Sequence, residues 1–157
     1  MRHLFADIIL YAILLALPSA CASNDWEDVP GPVARFLSQY FPLQAVTQCS
    51  YQNDIYHVKL RNSAALTFDD RYKWTSVNGY GNTLPEMFLF DQLPPALYNY
   101  LQELSFTTQV YAVTRDSFVY NVMLPDHSVT YTIATGIVTP DKPASATPVS
   151  MALFHGW

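Results

Sequence analysis

Two short segments of this chain alternate apolar and polar residues in the same way. Ile55 to Leu60 reads IYHVKL, and Val119 to Leu124, 64 positions later, reads VYNVML. Side chains along a strand point alternately to opposite faces, so the shared Tyr-x-Val-x-Leu marks one face of each strand as the buried one. Ile55, His57 and Lys59 then share the opposite face of the first strand, and Val119, Asn121 and Met123 that of the second.

The same offset relates two helical patterns. In Val29 to Phe41, the residues Val33, Phe36, Leu37, Tyr40 and Phe41 form one apolar stripe after a proline-rich start. In Leu93 to Leu104, the stripe is Leu97, Tyr100, Leu101 and Leu104. After the alternating strands come turns at RNSA and PDHS, then further strands at ALTFDD and VTYTI. There the two copies drift by about one residue, which predicts unequal turns or a bulge. Each half therefore reads as a helix followed by three or four antiparallel strands. One such unit is too small for a good core, whereas two side by side place both helices on one face of a shared sheet and leave the other face free. The expected fold class is α+β: a single domain over 23–139, with repeats at about 29–77 and 93–138 and a connector at 78–92. That connector is long for a loop, so part of it is expected to pair or pack.

The N-terminus changes the picture by giving an address. Met1-Arg2-His3 is a short basic region, and Ile8 to Pro18 is an apolar run too short to span a bilayer. Ala20-Cys21-Ala22 fits a small-x-small cleavage site, so residues 1–22 read as a signal peptide. The other reading is lipidation of Cys21, with Pro18 standing where leucine is usual. The mature chain is expected to be exported to the periplasm of a Gram-negative-type bacterium, or lipid-anchored in the envelope if Cys21 is acylated, with no membrane span. Residues 140–157 read as a tail rich in Pro, Ser, Thr and Ala with an apolar end. Net charge is −5 with no basic cluster, which argues against nucleic acid as a partner. With Cys21 removed or acylated, no intramolecular disulfide is available, so the core must carry stability. Val113 occupies the matching position of the second half, and Cys49 reads as a small buried side chain.

Candidate chemistry is sparse. His57, His127 and His155 lack the spacing of a zinc set, and Asp69-Asp70 follow a strand whose successive side chains diverge. A calcium loop would need more oxygen ligands in sequence than this turn supplies. No serine-nucleophile motif and no phosphate-binding glycine loop occurs in the chain. No catalytic residue, metal or cofactor is therefore expected. The aromatic side chains remain, chiefly as core. Trp74 has two readings: core packing or, because it shares strand parity with Ser76, a binding anchor at the edge of the open face.

A helix opened by Val29-Pro30, an exit at Phe41-Pro42, a Tyr-x-Val strand, then Phe68-Asp69 followed by Trp74 resembles the PepSY-like family of exported bacterial envelope proteins. That family's fold is similar to the tandem-repeat β-lactamase inhibitory proteins. The resemblance covers roughly 28–139. It departs from the family pattern at Tyr72, where Gly is expected, and in the second half, which keeps Gly136 without a preceding Phe-Asp. The resemblance implies no catalytic residues, while some related domains inhibit enzymes or attend proteases. The expectation is a non-enzymatic module that contacts a protein or peptide in the envelope. Its contact face would comprise Ile55, His57, Lys59, Val119, Asn121 and Met123, with Trp74 at the edge. An inhibitor of an exported hydrolase is the alternative, and an enzyme of unknown class a remote one.

Overall fold

The computed structural model describes residues 29–141. The leader read at 1–22, Cys21 within it, and residues 142–157 of the expected tail lie outside the described residues. The first half comprises helix α1 (Gly31–Tyr40) and strands β1 (Val46–Gln52), β2 (Ile55–Leu60), β3 (Ala65–Asp69) and β4 (Trp74–Asn78). The second comprises α2 (Glu86–Gln92), α3 (Pro95–Glu103), a single 3₁₀ turn at Thr107–Gln109, and β5 (Ala112–Arg115), β6 (Val119–Met123), β7 (Ser128–Thr132) and β8 (Ile137–Asp141).

The eight strands form one antiparallel sheet in sequence order, β1 to β8, and β4 pairs with β5 to join the halves. Each of α1, α2 and α3 begins directly after a proline whose extended backbone serves as the N-cap: Pro30, Pro85 and Pro94. No side-chain cap assists them, so the start is set by backbone restriction. The helices pack on one sheet face. Val33, Leu37 and Tyr40 of α1, Phe88 and Leu89 of α2, and Leu97 and Leu101 of α3 join Val58, Leu66, Phe68, Val77, Val113, Val122 and Val129 in one core. The opposite face carries no described helix.

One expectation changes, at Leu104, and two become specific: the connector packs, and Trp74 takes the core-packing one of its two readings. The connector holds a helix, α2, which at seven residues is too short to persist alone. It persists through Phe88 and Leu89, both fully buried, each burial worth about 1.5–3 kcal/mol. Leu104 does not complete the α3 stripe. It is the C-cap residue and is 47% exposed, while Tyr98 is buried instead, its ring 5.3 Å from Phe90 of α2.

Trp74 is 2% exposed and sits on the helix side of the sheet, 5.2 Å from the Phe88 ring. The cause is a bulge. Thr67 pairs with Ser76, but Phe68 pairs with Trp74, so Thr75 is the extra residue. One inserted residue reverses the parity, and Trp74 falls on the face opposite Ser76. The drift between the halves has a second source as well. Leu60 and Leu66 flank a turn one residue longer than that between Leu124 and Val129, as the pairs Lys59–Ala65 and Met123–Ser128 require.

Candidate functional site

The uncovered sheet face is the candidate site, and strand parity builds it. Strand register places Ser50, His57, Thr67 and Ser76 side by side across the first half. The row continues through Thr114, Asn121, Thr130 and Thr139 across the second. Every strand thus contributes one hydroxyl, amide or imidazole side chain to a single line. The helix-side rows alternate with it and hold Val58, Leu66, Val77, Val113, Val122 and Val129.

Hydrogen bonds tie neighbours within the line. The Thr67 and Thr75 hydroxyl oxygens are 2.8 Å apart, because the bulge turns Thr75 to the open side. Thr130 Oγ1 lies 2.8 Å from Asn121 Oδ1 and 2.7 Å from Asp141 Oδ2. One hydroxyl proton serves one of these acceptors at a time, so this edge can change partners at little cost. Open hydroxyls and amides of this kind can donate and accept to a partner's main chain or side chains without burying a fixed charge.

The expected face residues divide into two patches. Ile55, His57 and Lys59 stand on β2, with His57 and Lys59 exposed and Ile55 half-buried. Val119, Asn121 and Met123 stand on β6, where Met123 is exposed and the other two are half-buried. Three strands intervene, so the patches are roughly 19 Å apart at about 4.8 Å per strand. The centre between them belongs to Thr67, Thr75, Ser76 and Thr114, which sequence reasoning did not single out. The period-two pattern of ALTFD and AVTR gives the parity of Thr67 and Thr114, while their adjacency comes from the β4–β5 pairing. Trp74 lies on the other face and takes no part.

The remaining candidates are positioned for structure. Cys49 is half-buried opposite Val58 and packs against the core. Asp69 Oδ1 accepts the main-chain N–H groups of Arg71 and Lys73 at 2.9 and 2.8 Å, closing its own turn. His127 Nδ1 meets Asp126 Oδ1 at 2.6 Å, and this hydrogen bond holds the Asp126 carboxyl below the usual carboxylate range. Among the described residues no group of three or more His, Cys, Asp or Glu is arranged to hold a metal ion. No described helix is long and apolar enough to cross a membrane.

Comparison with known proteins places this geometry in a family. The model of the family described as "Putative beta-lactamase-inhibitor-like, PepSY-like" matches residues 23–74 and 56–137. A crystal structure described as a putative calcium-regulated periplasmic protein from Bacteroides thetaiotaomicron superposes with a TM-score of 0.64 at 20% identity, covering 74% of this chain and 92% of its own. A putative periplasmic protein of the DUF2874 family from Bacteroides vulgatus gives 0.62 at 22% identity, covering 72% of this chain and 89% of its own. A further putative periplasmic protein of unknown function from Bacteroides vulgatus gives 0.61 at 17% identity, with 75% and 95% covered. No curated protein matches the chain.

Proposed function

The chain belongs to the PepSY-like family, whose model spans most of its length. We propose that it is a non-enzymatic binding module of the bacterial envelope that engages a protein or peptide through its open sheet face. The observation that carries this reading is the uncovered line of polar side chains across all eight strands, with its hydroxyl-rich centre at Thr67, Thr75, Ser76 and Thr114. A broad polar surface whose central line carries no charged side chain, with Lys59 and Asp141 toward its flanks, suits a macromolecular partner better than a small substrate, which needs enclosure. Export rests on the leader-like residues 1–22 and is in keeping with the periplasmic description of the structural relatives. A cytosolic location of the native protein after cell fractionation would overturn it.

The test is capture from native envelope extracts with wild-type chain and a His57→Glu/Thr114→Arg variant, both positions being exposed. The variant is expected to fold normally and lose the wild-type partners. An unchanged partner set on a folded variant would remove the open face from the proposal. The family description favours one narrower reading, an inhibitor of an exported hydrolase. That reading predicts a stoichiometric complex and loss of activity when the chain is added to the organism's own envelope hydrolases; no inhibition at micromolar chain would sink it.

A further inference from the structure

The two strands that join the halves part early. β4 and β5 pair only through Asn78–Ala112, Val77–Val113 and Ser76–Thr114. Beyond Ser76 the β3–β4 and β5–β6 turns stand apart and frame a cleft of about 580 Å³. That is within the roughly 300–1,000 Å³ of small-ligand pockets.

Arg115 is the fixed element of this cleft. Its Nε donates to the carbonyl oxygen of Trp74 at 2.7 Å, and its guanidinium carbon lies 4.0 Å above the Trp74 ring. Nη1 reaches the Tyr120 hydroxyl at 3.4 Å. No described residue engages Nη2, so a planar donor held on an indole keeps two hydrogens uncommitted.

The charges around it are unequally spent. Asp69, Asp70 and Asp116 line the cleft together with Arg71, Lys73 and Arg115. Asp69 Oδ1 closes one turn, as described above. Asp116 Oδ1 closes the other, accepting the N–H groups of Phe118 and Val119 at 2.7 and 2.9 Å. These donors hold the Asp116 carboxyl below the usual range. The one ion pair among the described residues is His127–Asp126, so no described carboxylate lies within 4.0 Å of the charged groups of Arg71, Lys73 and Arg115. One oxygen of each of two of the three acids is thus taken by main-chain donors, while none of the three cations is ion-paired to a described residue.

We propose that this cleft binds a single carboxylate group, seated on Nη2 of Arg115 with Arg71 and Lys73 lining its approach. The equal number of acids and cations argues for a monoanion, since a dianion would meet Asp70 and Asp116 at an uncompensated cost. The carboxylate belongs either to a free small acid or to the end of a peptide. The site goes beyond the open-face reading and does not depend on it, because it lies at the end of the sheet and shares only Thr75 with the open-face centre.

The experiment is a ¹⁵N NMR titration of the full chain that follows the Arg115 Nε–H and Trp74 Nε1–H signals. The probes are acetate, acetyl-diglycine as free acid, acetyl-diglycine amide, and inorganic phosphate. Acetate and the free acid are expected to move both signals saturably and the amide to leave them in place. Arg115→Gln is expected to weaken binding by about tenfold or more, and Lys73→Gln by a few-fold. Lys73 is exposed and outside the core, so its variant keeps the test valid if Arg115→Gln fails to fold. Free acid at least tenfold tighter than acetate assigns the site to peptide ends, and equal affinities assign it to small acids. Equal shifts from acid and amide, tighter binding of phosphate than acetate, or unchanged binding by a folded Arg115→Gln or Lys73→Gln would overturn the proposal.

Discussion

β4 and β8 hold the same place in their halves and live in different surroundings. β4 lies at the middle of the sheet, paired on both sides, and carries Trp74 and Val77 into the core. β8 is an edge strand in which Ile137 is 57% exposed and Val138, the counterpart of Trp74 by register, is half-buried. β1 and β5 show the reverse: the edge copy runs seven residues and is largely exposed, the central copy only four, led by buried Ala112 and Val113. Duplication supplies the elements, and position in the joined sheet decides which copy keeps a large apolar side chain. Pro140 falls on the edge strand β8, where a missing N–H interrupts further pairing.

The sharpest way to break the comparison is truncation at matched positions. Trp74→Ala removes a ring packed on Phe88 and covered by Arg115, and is expected to cost about 3–5 kcal/mol in urea unfolding. Val138→Ala is expected to cost about 1 kcal/mol, because its site is half open. Equal costs would mean that the seam between the halves is not the centre of the core.

A polar relay also ties Trp74 and Tyr40 of the first half to α2, and Val138, the counterpart of Trp74, has no polar side-chain group with which to make one. Trp74 Nε1–H donates to Gln92 Oε1 at 2.7 Å, Gln92 Nε2 donates to the Tyr40 hydroxyl at 2.7 Å, and that hydroxyl donates to Asp91 Oδ2 at 3.2 Å. The chain fastens α2 to both α1 and the sheet. Gln92→Leu leaves the buried indole N–H without its acceptor and is expected to cost about 1–3 kcal/mol. Burial raises the Tyr40 hydroxyl above its ordinary value of 10.0, with Asp91 adding to the rise and the Gln92 hydrogen bond opposing it. The folded state then keeps a proton that the unfolded chain releases, so this stabilisation is whole below pH 10.0 and declines as pH climbs past it. Urea midpoints at pH 8 and above pH 10 are expected to fall less steeply for Tyr40→Phe than for wild type; an identical fall would exclude Tyr40 as the titrating group.

Periodicity carried the reading of α1, α3 and the paired strands β2 and β6, because each buries one side against one layer. It did not carry α2, whose buried Phe88 and Leu89 lie between exposed Met87 and Phe90, leaving no stripe to detect. Nor did it carry Tyr98, which is buried only because α2 lies beside α3, or Trp74, whose face depends on one bulged residue. Of the open face, the flanks at His57 and Asn121 followed from comparing the two copies. The centre at Thr67, Thr75, Ser76 and Thr114 depends on β4 meeting β5, a pairing between halves that no local pattern encodes.

The smallest contrast is between the two β-turns. Tyr72 and Gly136, 64 positions apart, both adopt left-handed backbone, with φ of +62° and +68°. At Gly136 an added Cβ would meet only the Tyr131 hydroxyl, at 3.9 Å, so Gly136→Ala should pay the backbone cost alone, about 1–2 kcal/mol. Tyr72 already pays that cost, and two features offset it. Its ring lies 5.3 Å from Tyr56, worth about 0.5–1.5 kcal/mol, and the Asp69 carboxylate closes the turn from below, where the second half has Thr132. Tyr72→Gly relieves the strain but loses the ring contact and loosens the unfolded chain. Its net effect on the urea midpoint is therefore expected to stay within about 1 kcal/mol of wild type. A loss well beyond that would show that the Tyr56–Tyr72 ring contact, and not the Asp69 cap, is what holds this turn in its left-handed form.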